Sequence, residues 1–461
     1  LTESTANLVA AGEPDSGGAR LARDSSFGEV PGLNRPLFLK EVLLRRPSLV
    51  PAAIALLALT SVPLARAQES DQVTAAQLAG SQGKFKALPP NGHKNGQGHA
   101  RHGIPNIDSL LNFNGHFFTD GFDANGNPNQ HWYYNIVGNP PQQHGTTTIN
   151  APIVPVSIDL RNFDGSPRFV NGQRLFYDVT PFIAPTVASP VFANSTYSSS
   201  PVPTQFTDAV QRAEFFQDAK DDWHTLLAPS VKSPRVMTLI RGTYQFALNS
   251  DGSCCAFVLV DFGTFINKLF PATADDTSTP VGAAENAGEV TTKDMSTFLF
   301  PNTYLFEGSS CCVLGFHSYD FEPGDDSNGN VEKRYVLNYS SWISPGLFGA
   351  GFQDVTAHSH EIAETYNDPF VASDGIHNVT PWWLAPNGLC QNNLETGDVI
   401  EGLPNATFPV TVNGFTYHPQ NEALLQWFEF ESPSSAIGGA YSYPNTSVLT
   451  SLSPIQRANC Q

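Results

Sequence analysis

Asp354-Val355-Thr356-Ala357-His358-Ser359-His360-Glu361-Ile362-Ala363-Glu364-Thr365-Tyr366-Asn367-Asp368-Pro369 decides the reading of this chain. Asp354 offers a side-chain acceptor to the free amides of a helix start, and Pro369 forces a stop. Between them the spacing predicts roughly three to four helical turns. Residues four apart share one helix face, so His360 and Glu364 point the same way. Glu361 is rotated by roughly a quarter turn from them.

An imidazole nitrogen and a carboxylate oxygen one turn apart reach a single Zn²⁺. In the related His-Glu-x-x-His pattern, the Glu beside the first ligand takes the proton from an attacking water. Glu361 is the candidate for that role here. Glu364 stands where the second His would be. It adds a negative charge, which makes the cation a weaker Lewis acid.

A third ligand has to come from elsewhere. Asp368 lies one turn further along the same face, but three ligands from one short helix are awkward. His358 is rotated by about 200° from His360. Glu395-Thr396-Gly397-Asp398 follows a turn-rich loop and can fold back over the helix. Asp398 ranks first and Glu395 second. His358 and Tyr366 are the nearest candidates for steadying an oxyanion.

The helix resembles one in a family of secreted bacterial proteins with a His-Glu-Leu/Ile-Ala-Glu motif followed by Asp-Pro or Asn-Pro. It also resembles the plant exordium, or phosphate-induced, proteins, which carry a later Glu-Ile-Gly/Ala-Asp. The matching residues are His360 to Glu364, Asp368-Pro369 and Glu395 to Asp398, with Thr396 where the family has Ile. The block at 145–153 and the Asn-Gly hairpin at 412–417 are similar to the bacterial relatives too. The resemblance implies a zincin-like metal site.

Around this helix the chain reads as a strand-rich α+β protein. Its 461 residues are 40% hydrophobic and 11% aromatic, so one large core is feasible. Only 15% are charged, and Gly 37 with Pro 36 point to many turns and short strands. The runs at 131–137 and 146–160 are strand-like, with Pro152 and Pro155 demoting parts of the second to an edge. Val210, Ala213, Phe215, Phe216, Ala219, Trp223, Leu226 and Leu227 recur near helical spacing and predict one long helix over 204–227. Strands are expected over 235–248 and 336–342, a hairpin about Asn413-Gly414, and a helix over 418–430. The turns at 123–127 and 325–330 lack the ordered acidic positions and closing Glu of a calcium loop.

The formal net charge of -19 excludes nucleic acid as an expected partner, since phosphate binding needs clustered Lys and Arg. An anionic membrane surface is disfavoured likewise. Arg45-Arg46, the apolar run 49–64 and Ala65-Arg66-Ala67 form the basic, apolar and small-residue parts of a secretory signal. Residues 1–67 are therefore read as an upstream extension plus signal peptide. Residues 68–105 read as a flexible leader or pro-segment, and 106–461 as one globular domain. Export, to the periplasm or outside the cell, permits disulfides. Cys254-Cys255 and Cys311-Cys312 each open an apolar run and are expected to cross-link neighbouring strands, with Cys390 paired to Cys460.

Function is expected to be that of a secreted zinc-dependent hydrolase. Zn²⁺ would sit on His360, Glu364 and Asp398, and Glu361 would activate water against an extracellular peptide or cell-wall substrate. The alternative is a non-catalytic exported protein of the cell surface or wall that retains the metal, with Trp382-Trp383 as candidate carbohydrate contacts.

Overall fold

β-Branched and apolar residues from Thr146 onward form the longest strand among the described residues, and the sheet is built around it. The computed structural model describes residues 71–78, 81, 83–88, 91–92, 107–118, 131–349, 351–371, 383–391 and 394–453. The chain divides into two compact units, 1–66 and 67–461. The first lies outside the described residues, and so do the expected signal segment, the turn at 123–127 and the side chains of Trp382 and Trp383.

The strands that position the site are β1 (Lys84–Ala87), β2 (Thr146–Arg161), β3 (His224–Val231), β4 (Arg235–Ile240), β5 (Tyr244–Leu248), β6 (Cys254–Asp261), β7 (Met295–Pro301), β8 (Thr303–Glu307), β9 (Ser310–Glu322) and β10 (Glu332–Trp342). Their order across one mixed sheet is β3-β2-β7-β10-β9-β8-β6-β5. β2, β7 and β10 run parallel, whereas β9 is antiparallel to β10 and β8. Two helices matter here: α1 (Phe206–Glu214) and α2 (Thr356–Asn367). The fold is thus α+β and strand-rich. No helix among the described residues is long and apolar enough to cross a membrane.

Several expectations are corrected. β2 is an interior strand rather than an edge. Along one side, residues 146–153 pair with β3 and residues 156–161 pair with β4. Pro155 falls in the gap between those partners, where that side asks for no donor. The long helix expected over 204–227 stops at Glu214. Residues 215–223 form turns, and from His224 the chain enters β3, where parallel pairing of His224 with Thr146 and onward outweighs local helical spacing. The helix expected over 418–430 shrinks to Leu425–Phe428. Upstream of it, the amides of Gln420, Asn421 and Ala423 are donated to Ser359 Oγ and to the carbonyls of Ala406 and Thr396.

The cysteine pairing also differs. Cys254 is bonded to Cys255 and Cys311 to Cys312. The strands carrying them, β6 and β9, are not neighbours, because β8 lies between them. Cys390 is disulfide-bonded; its expected partner, Cys460, lies outside the described residues. The stretch read as a flexible leader contributes β1, which pairs in parallel with β9. Asp71, in the same stretch, forms ion pairs with Arg168 and Arg241. The hairpin of Val410–Val412 with Phe415–Tyr417 forms about Asn413 and Gly414, both at positive φ as such a turn requires.

Every residue of α2 is buried. Ile362 and Tyr366 pack with Ile153, Leu299, Tyr319 and Val336 of the sheet. Ala357 packs in a second cluster with Leu394, Val399 and Ile400. Burying side chains of this size contributes roughly 1.5–3 kcal/mol each, which offsets the cost of taking so polar a helix out of water.

Candidate metal centre

α2 begins after Val355, and Asp354 does not cap it. The Asp354 carboxylate instead accepts from His418 N at 2.8 Å and meets His418 Nδ1 at 2.8 Å. This ties the helix start to the 418–424 segment. At the other end, Asn367 Nδ2 donates to Glu214 Oε1 at 2.7 Å, which fixes α2 against α1.

The helical spacing does what it must to His360 and Glu364: His360 Nε2 lies 3.0 Å from Glu364 Oε1. The loop 394–401 closes over that face. Gly397 N and Asp398 N both donate to Glu364 Oε1, at 3.1 and 3.2 Å. This places Asp398 Oδ1 3.6 Å from His360 Nε2. Gly397 allows the approach, since a Cβ there would lie 2.3 Å from His360 Nδ1. The structure therefore brings His360, Glu364 and Asp398 together, with one ligand atom from each within 4.8 Å of the others. Two ligands about 2 Å from a tetrahedral zinc sit roughly 3.3 Å apart, and the 3.0 and 3.6 Å separations bracket that distance. Neither ring nitrogen of His360 makes a hydrogen bond of ordinary geometry. These residues fit a divalent cation.

Glu361 points toward the sheet. Successive strand residues alternate faces, so Gly315 and His317 of β9 share the face turned to α2. A Cβ on Gly315 would meet Glu361 Oε1 at 2.5 Å, so this glycine makes room for the carboxylate. His317, fully buried, lies with Nδ1 3.6 Å from Glu361 Oε2 and 3.4 Å from Glu364 Oε2. Its Nε2 is 3.7 Å from Glu395 Oε1.

The remaining candidates divide. Glu395 arrives from the same loop as Asp398 but at the other imidazole, where it groups with His317 and Asp368. His358 packs its ring 5.4 Å from Phe192, away from the group, and Tyr366 donates its hydroxyl to Thr225 O. The oxyanion roles considered for those two are not supported by their positions. His317 went unseen in the sequence because it sits in an apolar strand about forty residues before α2, with no spacing to signal it. No family model, curated protein or solved structure matches the chain.

Electrostatics follow from burial and from the two imidazoles. Burial pushes the Glu361 carboxyl up to about 7, against the opposing pull of His317 and His360. Burial also raises Glu364, but His360 and His317 together outweigh it and hold that carboxylate well below its usual range. For His317, burial opposes protonation, and Glu361 with Glu364 overcome it to lift the ring to about 10. Burial drives Glu395 and Asp398 well above the carboxylate range. His358, facing no partner charge, is lowered to about 3 by burial alone.

The group has a cover. The Phe85 ring of β1 stacks on His360 with centroids 3.7 Å apart, and Phe85 is paired with Gly315 in the register of β1 on β9. Asp398 is the edge of the His360 group that reaches solvent, its side chain 16% exposed.

Proposed function

We propose that the protein is an exported metal-dependent hydrolase acting on peptide bonds, with a cation on His360, Glu364 and Asp398. The observation that carries this reading is the convergence of those three side chains beside a fourth, Glu361, which is not needed to hold the cation. A divalent zinc ion bound there supplies Lewis acidity and lowers the pKa of water. Glu361 takes the proton: a carboxyl near 7 is matched to general-base work at neutral pH. His317, beside it, stabilises the carboxylate form. Glu364 and the backbone amides of Gly397 and Asp398 hold the loop on the helix, so the ligands keep their positions while the proton moves. Disulfide-bonded cysteines in three segments, Cys254-Cys255, Cys311-Cys312 and Cys390, fit an oxidising compartment.

The test is Glu361→Gln. It keeps size and removes the base. Zinc should stay bound while hydrolysis of a denatured protein substrate falls by a factor of about 10² or more. Unchanged turnover would remove Glu361 from the mechanism.

A second reading has one observation in its favour. His360 is fully buried and covered by Phe85, which suits a structural cation in a non-catalytic surface or cell-wall protein. Under that reading wild type and Glu361→Gln both bind zinc and neither hydrolyses anything.

A further inference from the structure

The hydrolase reading leaves His317 without a ligand to hold, yet this imidazole sits at the centre of the buried carboxylates. It is fully buried, and neither of its ring nitrogens makes a hydrogen bond of ordinary geometry; the same is true of both oxygens of Glu395. Asp368, the residue that ends α2, brings a carboxylate oxygen within 4.8 Å of ligand atoms of both. We infer that His317 Nε2, Glu395 and Asp368 form a second divalent-cation site beside that of His360, Glu364 and Asp398.

The division of labour on the His317 ring supports this. A metal-binding imidazole places its other N–H on a carboxylate or carbonyl, which fixes ring and tautomer. Nδ1 faces Glu364 Oε2 at 3.4 Å and Glu361 Oε2 at 3.6 Å, leaving Nε2 directed at Glu395, 3.7 Å away, where a cation would take the place of the Nε2 proton and release it to solvent. One imidazole and two carboxylates suit zinc or another divalent first-row ion, whereas calcium and magnesium prefer oxygen alone.

Charge gives the second argument. Glu361, Glu364, Asp368 and Glu395, all buried, crowd around two buried imidazoles, and Asp398 joins them from the solvent edge. The ion pairs of Glu361, Glu364 and Glu395 are made with His317 and His360. Carboxyl groups packed this closely in the interior are held together at least cost when protons or cations lie between them. Glu364 joins the two sites, with Oε1 toward His360 and Oε2 toward His317. Coupling through this carboxylate implies that filling one site orders the other.

The inference needs cations in this cluster but not hydrolysis, so the two fail separately. The experiment is equilibrium dialysis of the intact, oxidised chain against Zn²⁺, with metal counted per chain. Wild type should hold two tight equivalents. Glu395→Gln combined with Asp368→Asn should hold one, and His360→Ala should also hold one. One equivalent or none in wild type overturns the inference, as does a Glu395→Gln/Asp368→Asn variant that still holds two. Should that variant fail to fold, X-ray absorption on zinc-loaded wild type decides. Two zincs with one imidazole each are expected. A single zinc carrying both imidazoles overturns the second site.

Discussion

Replacing Gly397 by Ala should empty the cation site without touching a ligand. A Cβ at this position would lie 2.3 Å from His360 Nδ1, 2.5 Å from Cε1 and 2.8 Å from Cγ. Ordinary contact begins near 3.4 Å, so ring or loop must move by about 1 Å. Phe85 already packs on the same ring at 3.7 Å, which limits retreat. Metal–ligand distances tolerate about 0.2 Å, so a displacement of this size removes His360 or Asp398 from coordination. Disturbing even the supports of a ligand typically costs about 10–100-fold in metal affinity, and at least that loss is expected here. Gly315→Ala is the matched control. Its Cβ would meet Glu361 Oε1 at 2.5 Å and leave the His360 group alone. Zinc should be retained, while a base displaced by about 1 Å should lose on the order of 10² in turnover. Competition with a chromophoric chelator reads zinc affinity. A thermal melt reads the overpacking cost, about 1–3 kcal/mol in each variant. Wild-type zinc affinity in Gly397→Ala, or equal zinc loss in the two variants, would refute the packing argument.

Three other outcomes are expected. The rate of hydrolysis should fall on acidification, because Glu361 must be deprotonated to act, with the midpoint below the value of about 7 set by burial since a neighbouring cation favours the carboxylate; a rate that does not fall between about pH 7 and pH 4 contradicts that role. Phe85→Ala should speed zinc removal by a chelator by on the order of a hundredfold, since deleting a buried phenyl costs roughly 3 kcal/mol of local stability and populates the uncovered state. An unchanged exchange rate would show that β1 is no cover. Glu214 is fully buried and raised to about 8 by burial, with Asn367 and Leu425 N opposing the shift. A carboxyl raised above its unfolded value contributes stability below that value and loses it as pH rises through the folded one. Wild type should therefore lose on the order of 4 kcal/mol between pH 4.5 and 8 from this group, and Glu214→Gln should abolish that part of the slope in urea titrations at several pH values.

What the sequence disclosed, and what it hid, follows from the range of the forces involved. Spacing within α2 and the Pro369 stop are local, so the helix and the shared face of His360 and Glu364 were legible. The Asn413-Gly414 turn was legible for the same reason. Asp354 misled, because its carboxylate is drawn to His418, which follows about sixty residues later. The 204–227 stripe misled because Leu226 and Leu227 satisfy a strand as well as a helix, and pairing with β2 decides between them. His317, Gly315 and Phe85 reach the site only through sheet register, which no short motif encodes. Asp398 and Glu395 were both visible as candidates. Their assignment to different imidazoles depends on the path of the loop around Gly397.

Anomalous scattering at the zinc edge, from crystals of the zinc-loaded chain, puts the central claim to the most direct trial. A peak about 2.0–2.2 Å from His360 Nε2 and from carboxylate oxygens of Glu364 and Asp398 is the predicted result. Density with no peak there, and His360 bonded to protein groups alone, would contradict the account.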